Sequence, residues 1–338
     1  MLSCIIVLEI ITPEPMKKIA ILLIFIFSAM LTLAQQEAQV SHNMFNHLDV
    51  NPGYAGLSGS NCATLIARQQ WLGFKDPQGN KGFPQTYLLS IDRPVDFLRG
   101  GIGLTIMNDQ LGFEKNIGLE LSYSRHWVLF KGELGLGAQI GFFNKKIDFT
   151  KFISTDPDDP FLVNGEWNEG NTVVDFAAGV FYNSPKNMYF GVSSTQLRMA
   201  EFNLPNAIAK PTYARHFYVE AGKYIQLNRS FELAPSIFMK TDFASAQFDL
   251  NSILKFNNQF WGGLSWRTTD AVAVFVGMTV LGGLDIGYSY DITTSAIGAN
   301  GRSSGSHEIM LHYCLKINRD PFFESHQNVR FLSPSIRK

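Results

Sequence analysis

Between Asn116 and Trp127 the chain alternates, residue by residue, between small or polar side chains and apolar ones. Asn116, Gly118, Glu120, Ser122, Ser124 and His126 fall in one register; Ile117, Leu119, Leu121, Tyr123 and Trp127 fall in the other, with Arg125 the one misfit. Side chains of a strand point to opposite faces with period two, so this segment predicts a strand with one wet and one oily surface. Leu134, Leu136, Ala138, Ile140 and Phe142 alternate with Glu133, Gly135, Gly137, Gln139 and Gly141 in the same way. So do Leu284, Ile286, Tyr288, Tyr290 and Ile292 with Asp285, Gly287, Ser289 and Asp291. From 272 to 280 both registers are apolar and the period is uninformative.

The repeated pattern predicts about fourteen strands, near 61–72, 83–92, 100–109, 113–127, 131–143, 171–182, 186–195, 214–226, 230–241, 246–257, 260–269, 270–279, 282–292 and 305–317. The connections sort by length. Those at 128–130, 183–185, 227–228, 257–259 and 281 are tight, whereas 144–170, 196–213 and 293–304 are long and all fall on the opposite end. Short periplasmic turns and long extracellular loops are the habit of outer-membrane barrels. The expected fold is therefore all-β, a closed transmembrane antiparallel β-barrel with its oily face in lipid. Trp71, Trp127, Tyr182 and Tyr290 lie near strand ends, where interfacial aromatics belong. Pro235 cannot donate to a ladder and predicts a bulge.

The competing soluble sandwich or lipocalin-like barrel would turn the oily face inward. Its exterior would then be an uneven mixture of Gly, Ser, Asn and Asp, a poor soluble surface. Charged residues are only 17% of the 338, and the net charge is −1, which excludes the basic face that a nucleic-acid partner requires. Mean hydropathy is close to zero, too low for a helical membrane protein but ordinary for a barrel.

Met16-Lys17-Lys18 begins a basic-then-apolar leader over 16–34, with Thr32-Leu33-Ala34 as an acceptable cleavage site. Residues 1–15 read as an upstream extension. The expected organisation is 1–34 extension and signal peptide, 35–60 an N-terminal periplasmic segment, 61–317 the barrel and 318–338 a periplasmic tail. Cys62 and Cys314 are the cysteines left after cleavage. They fall on the wet parity of the first and last strands, which are neighbours in a closed barrel. A disulfide there would staple the seam; two free thiols is the competing reading, because bridge geometry is strict.

Several stretches resemble the PorP/SprF family. HNMFNHLDVNPGYAG (42–56), ATLIARQQWLGF (63–74) and GGIGLTIMNDQLGF (100–113) are similar to its opening; FWGGLSWRTTDAVAVFVG (260–277), LDIGYSYDITTS (284–295) and SGSHEIMLHY (304–313) are similar to its close. His47 and Gly53 depart from the pattern, which has Pro and Ala there. The resemblance implies an outer-membrane barrel of the type IX secretion and gliding machinery, found in Bacteroidota. Its expected partners are a secreted adhesin or other type IX client, type IX periplasmic or outer-membrane components, and the lipid bilayer.

No nucleophile, base and orienting group can be assembled from the sequence, so binding is expected rather than catalysis, and no cofactor is expected. His307-Glu308 lacks the second histidine of a helical zinc motif, since position 311 is Leu, and reads as structural. Asp156, Asp158 and Asp159 read as an acidic solvated loop rather than a calcium site, because the prolines among them scatter the carboxylates. Glu120, Glu133, Asp175, Asp249, Lys255, Asp285, Asp291, Glu308 and Lys316 sit on the wet parity. They read as a self-satisfied lumenal network, the alternative being a polar channel or docking surface. Phe161, Leu162 and Trp167 are candidate client anchors on a long loop. Arg330 and Phe331, in NVRFL (328–332), are similar to an Asn-Pro-Arg-Phe ending of the family, with Val329 in place of Pro. They are candidate anchors for a periplasmic partner, a disordered stub being the alternative. The competing function is a passive channel or hydrophobic-solute transporter.

Overall fold

A computed structural model describes residues 37–74, 82–148, 170–203, 211–268, 270–280, 282–295, 298 and 303–317. The expected signal peptide, Asp156, Asp158, Asp159, Phe161, Leu162, Trp167, Arg330 and Phe331 lie outside the described residues.

The strands are β1 (Ser60–Gln69), β2 (Gln85–Val95), β3 (Gly100–Leu111), β4 (Glu114–Leu129), β5 (Gly132–Ile147), β6 (Gly170–Ser184), β7 (Met188–Thr195) and β8 (His216–Lys223). They continue with β9 (Ile225–Gln226), β10 (Phe231–Thr241), β11 (Ala246–Phe256), β12 (Phe260–Arg267), β13 (Ala271–Val280), β14 (Leu284–Thr293) and β15 (Ser306–Lys316). The short β9 continues β8 along the same edge of β10, so the wall has fourteen staves. Each stave is antiparallel to the next, and β1 pairs with β15 to close the cylinder. No helix among the described residues is long and apolar enough to cross a membrane; the strands cross it.

Burial is inverted relative to a soluble protein. Leu65 is 43% exposed beside Thr64 at 4%, and Ile309 is 53% exposed beside Glu308 at 0%. An exterior of Leu, Ile, Val and Phe in water would forfeit roughly 25 cal/mol for each Å² of apolar surface, a loss that lipid removes. The doubly apolar stretch of β13 also resolves into faces. Val274, Val276 and Met278 are exposed, while Ala273 and Phe275 turn inward and pack with Ile66, Trp261 and Met310.

Pro235 produces no bulge. Ser236 pairs with Gly222 and Leu233 with Ile225, so the register is the same on either side of Pro235. The missing N–H interrupts the ladder toward β8 instead of inserting a residue, and Pro235 remains opposite Ser252 of β11.

One expectation is overturned. The segment placed before the barrel does not lie outside it in the periplasm: most of residues 41–57 are buried and bonded to the inner wall. The reason is volume. About eight strands already enclose a space that side chains can fill, so fourteen enclose more, and on β4 to β6 many of the inward residues are glycine or serine. The N-terminal segment takes up that space as a plug.

Candidate functional site

The plug is three short 3-10 turns, Asn43–Phe45, His47–Asp49 and Pro52–Tyr54, with Asn51 capping the last by accepting from the Gly53 N–H at 2.9 Å. Segments this irregular leave many backbone groups unpaired, and the wall supplies partners for them. Glu37 lies at the long-loop end, bonded to Gln196 and Tyr218, with Lys240 Nζ 2.9 Å from its carbonyl oxygen. From there the chain descends to Ser60, where β1 begins at the short-turn end.

Two latches hold it. In the first, Glu308 accepts from the backbone N–H groups of Ser41 and His42, each at 2.8 Å, from His42 Nδ1 at 2.6 Å and from Arg68 at 3.1 Å. Asp291 accepts from the Ser41 hydroxyl at 2.7 Å, from Arg68 at 2.9 Å and from Arg267 at 3.1 Å. Arg267 also donates to Asp249 at 3.2 Å, and Asp249 accepts from Asn43 at the same distance. All these charges are buried, where an ion pair persists only with its hydrogen bonds satisfied. In the second latch, Glu220 accepts from His47 Nδ1 at 2.6 Å and Asn51 Nδ2 at 3.3 Å. The His47 ring lies 4.8 Å from Tyr189 and 5.2 Å from Phe181, centroid to centroid.

At and just past the second latch the plug rests on glycine. Gly137 and Gly179 face each other across β5 and β6. A Cβ on Gly137 would stand 2.2 Å from the Pro52 carbonyl carbon, and one on Gly179 would stand 2.2 Å from Asn51 Oδ1. Plug atoms this close to the wall's backbone leave no space for any side chain there. Near the exit, Asp92 accepts from the Gly56 N–H at 2.9 Å, and Ser124 donates to the Gly53 carbonyl at 2.8 Å.

The wet-parity charges separate into groups. Glu120, Asp175, Asp249, Asp291 and Glu308 are buried, and the last three meet in the first latch. Asp175 instead caps the turn after β7, accepting from the Arg198 and Ala200 N–H groups at 2.8 and 3.0 Å. Glu133 and Lys316 are exposed at the rim. His307-Glu308 divides across the strand: Glu308 points into the latch and His307 bonds Tyr288 at 2.7 Å. Ser41, His42 and Asn51 were not singled out from the sequence, and His47 stood out only as a departure from the family pattern. Two signals mark them: a polar segment without period, and a wet face too rich in glycine and buried charge for the lumen to be watery.

Beneath the plug, at the short-turn end, a cavity of about 160 Å³ is lined by Phe45, Tyr54, Tyr189, Lys223, Lys255 and His312 among others. At the same end Cys62 and Cys314 stand opposite each other in the seam and are bonded to one another. In Asp49, burial first and Glu37 second push the carboxyl up to about 7, against the opposing pull of Lys240.

The sequence profile described as type IX secretion system membrane protein PorP/SprF matches residues 32–313. The chain belongs to the PorP/SprF family. This PorP/SprF barrel is also similar in architecture to solved outer-membrane barrels. The Ralstonia pickettii toluene transporter TbuX is 10% identical, with a TM-score of 0.42, over 78% of this chain and 92% of that one. The CymD monoaromatic hydrocarbon channel is 9% identical, with a TM-score of 0.46, over 81% of this chain and 93% of that one. The β domain of the Bordetella autotransporter Brka is 12% identical, with a TM-score of 0.30, over 76% of this chain and 99% of that one. Comparison with curated proteins finds no match.

Proposed function

We propose that this PorP/SprF protein is exported through a cleavable signal peptide to the outer membrane, where it binds, helps to export or anchors a secreted surface protein of the type IX machinery. It works by binding rather than by chemistry. The observation that carries this reading is the occupied lumen. A barrel latched shut by its own N-terminal segment is a poor passive pore, and its rims and loops remain as working surfaces. Phe161, Leu162 and Trp167 on the long 144–170 connection are the proposed client anchors on the outer side. Arg330 and Phe331 are the proposed anchors for a periplasmic component.

The test is affinity purification of the full-length barrel from its own host. A large secreted protein should co-purify, and the triple change Phe161→Ala, Leu162→Ala, Trp167→Ala should reduce its yield by about tenfold or more, the scale of a lost hot spot. Truncation after 318 should release the periplasmic component and leave the client bound. Steady ion conductance by the intact barrel in planar bilayers, with no client recovered, would favour the transporter instead.

A further inference from the structure

The seam holds more than a pair of sulfurs. Cys62 and Cys314 are partners in the β1–β15 register, and Thr64 and His312 are partners two residues along it on the same inward face. His312 Nε2 lies 3.2 Å from Cys314 Sγ. The Ser58 hydroxyl lies 3.4 Å from Cys62 Sγ. One donor atom from each of Cys62, His312 and Cys314 falls within 4.8 Å of the other two. A tetrahedral zinc ion with sulfur at about 2.3 Å and nitrogen at about 2.0 Å sets neighbouring donors roughly 3.5 Å apart. The His312 and Ser58 contacts already have that spacing. The two sulfurs reach it when their bond is broken, by side-chain rotation across the seam.

We propose that this rim cluster is a redox-gated site for a soft transition-metal ion, zinc or a chemical equivalent, with Cys62, Cys314 and His312 as ligands. A small dithiol reduces the Cys62–Cys314 disulfide, leaving two cysteine thiols and the dithiol's own disulfide. The ion then displaces one proton from each thiol and takes the lone pair of His312 Nε2. Ser58, exposed at the rim, or water completes the tetrahedron. Thr64 is a positioning residue. Its hydroxyl lies 2.8 Å from His312 Nδ1, and by accepting a hydrogen bond from Nδ1–H it leaves the lone pair on Nε2, facing the sulfurs. Such an outer partner fixes both tautomer and ring orientation in metal sites. A structural cystine has no use for this arrangement. His312 also lines the cavity under the plug.

The experiment uses tag-free, full-length barrel in detergent, with and without treatment by a phosphine reductant. Zinc is measured by mass spectrometry after dialysis, and cobalt(II) serves as the optical probe. The reduced barrel should retain one zinc, and with cobalt it should show a thiolate charge-transfer band together with the visible bands of a tetrahedral ion. The oxidised barrel and C314S should show neither. T64V leaves both sulfurs in place and should weaken zinc binding about tenfold. Faster gel migration of unheated samples verifies that each protein is still a folded barrel. The proposal is overturned if the reduced wild-type barrel retains no more zinc than C314S. It is also overturned if the disulfide resists reduction while the barrel stays folded, or if cobalt gives no charge-transfer band.

Discussion

Glu308 has four donors on one carboxylate, two of them backbone N–H groups of the plug, and it is fully buried. Replacing it with Ala leaves Arg68 half-paired and both N–H groups unanswered, a loss of about 3–5 kcal/mol for a broken buried pair. The expected result for Glu308→Ala is a plug that a protease can cut near His42, in a barrel whose unheated gel mobility is unchanged. Full protection would remove the latch from the account. Asp49 offers a second test, through pH. Its folded value of about 7 lies above its ordinary 3.8, so the unfolded chain gives up the proton first. The folded state is therefore favoured at the acid end of that window, and its stability falls as pH rises through it. Proteolytic protection of the plug should weaken across the same window in the wild type and weaken less steeply in Asp49→Asn. Equal slopes would show that the carboxyl does not control it.

Among the elements, the strands were legible and the plug was not. Period-two alternation placed the staves apart from β13, whose two registers are both apolar, because lipid on one side and polar groups on the other impose the same two-faced requirement on each. Departures are confined to ends: β1 stops at Gln69 where 72 was expected, and Trp71 has φ at 53°, a conformation that terminates a strand. The segment around Ser41, His42 and Asn51 has no period to read, since its conformation is set by the wall and not by its own sequence. Its imprint is on the wall instead, in glycines such as Gly137 and Gly179 that alternation alone assigned merely to a wet face. The latch carboxylates Asp249, Asp291 and Glu308 join one network, but its donors are Arg68, Arg267 and the plug, not the other charges of the wet parity. Gly137→Val should unseat the 3-10 turn at Pro52 at a cost of about 1–3 kcal/mol, as for other overpacked sites. Hydrogen exchange of residues 50–56 should rise while β4 and β5 remain protected; unchanged exchange would mean that the seat has slack.

For the whole molecule, closure depends on one seam and occlusion on one segment. The bond between Cys62 and Cys314 joins residues 252 apart in sequence. A loop that long implies a contribution of about 5.5 kcal/mol on the chain-entropy model, so Cys314→Ser should lower the heating temperature at which the barrel unfolds on a gel. Deleting 38–56 should convert a silent barrel into one that conducts in planar bilayers, and silence from that variant would mean that something else fills the bore. The stopper is on a short leash, because Gly56 is still bonded to Asp92 and β1 begins only a few residues later, at Ser60. Once pulled free it would sense its own seat at millimolar effective concentration. Any vacancy would refill unless an intruder stayed lodged in it, so the duration of opening would be fixed by the visitor's residence time and not by the barrel.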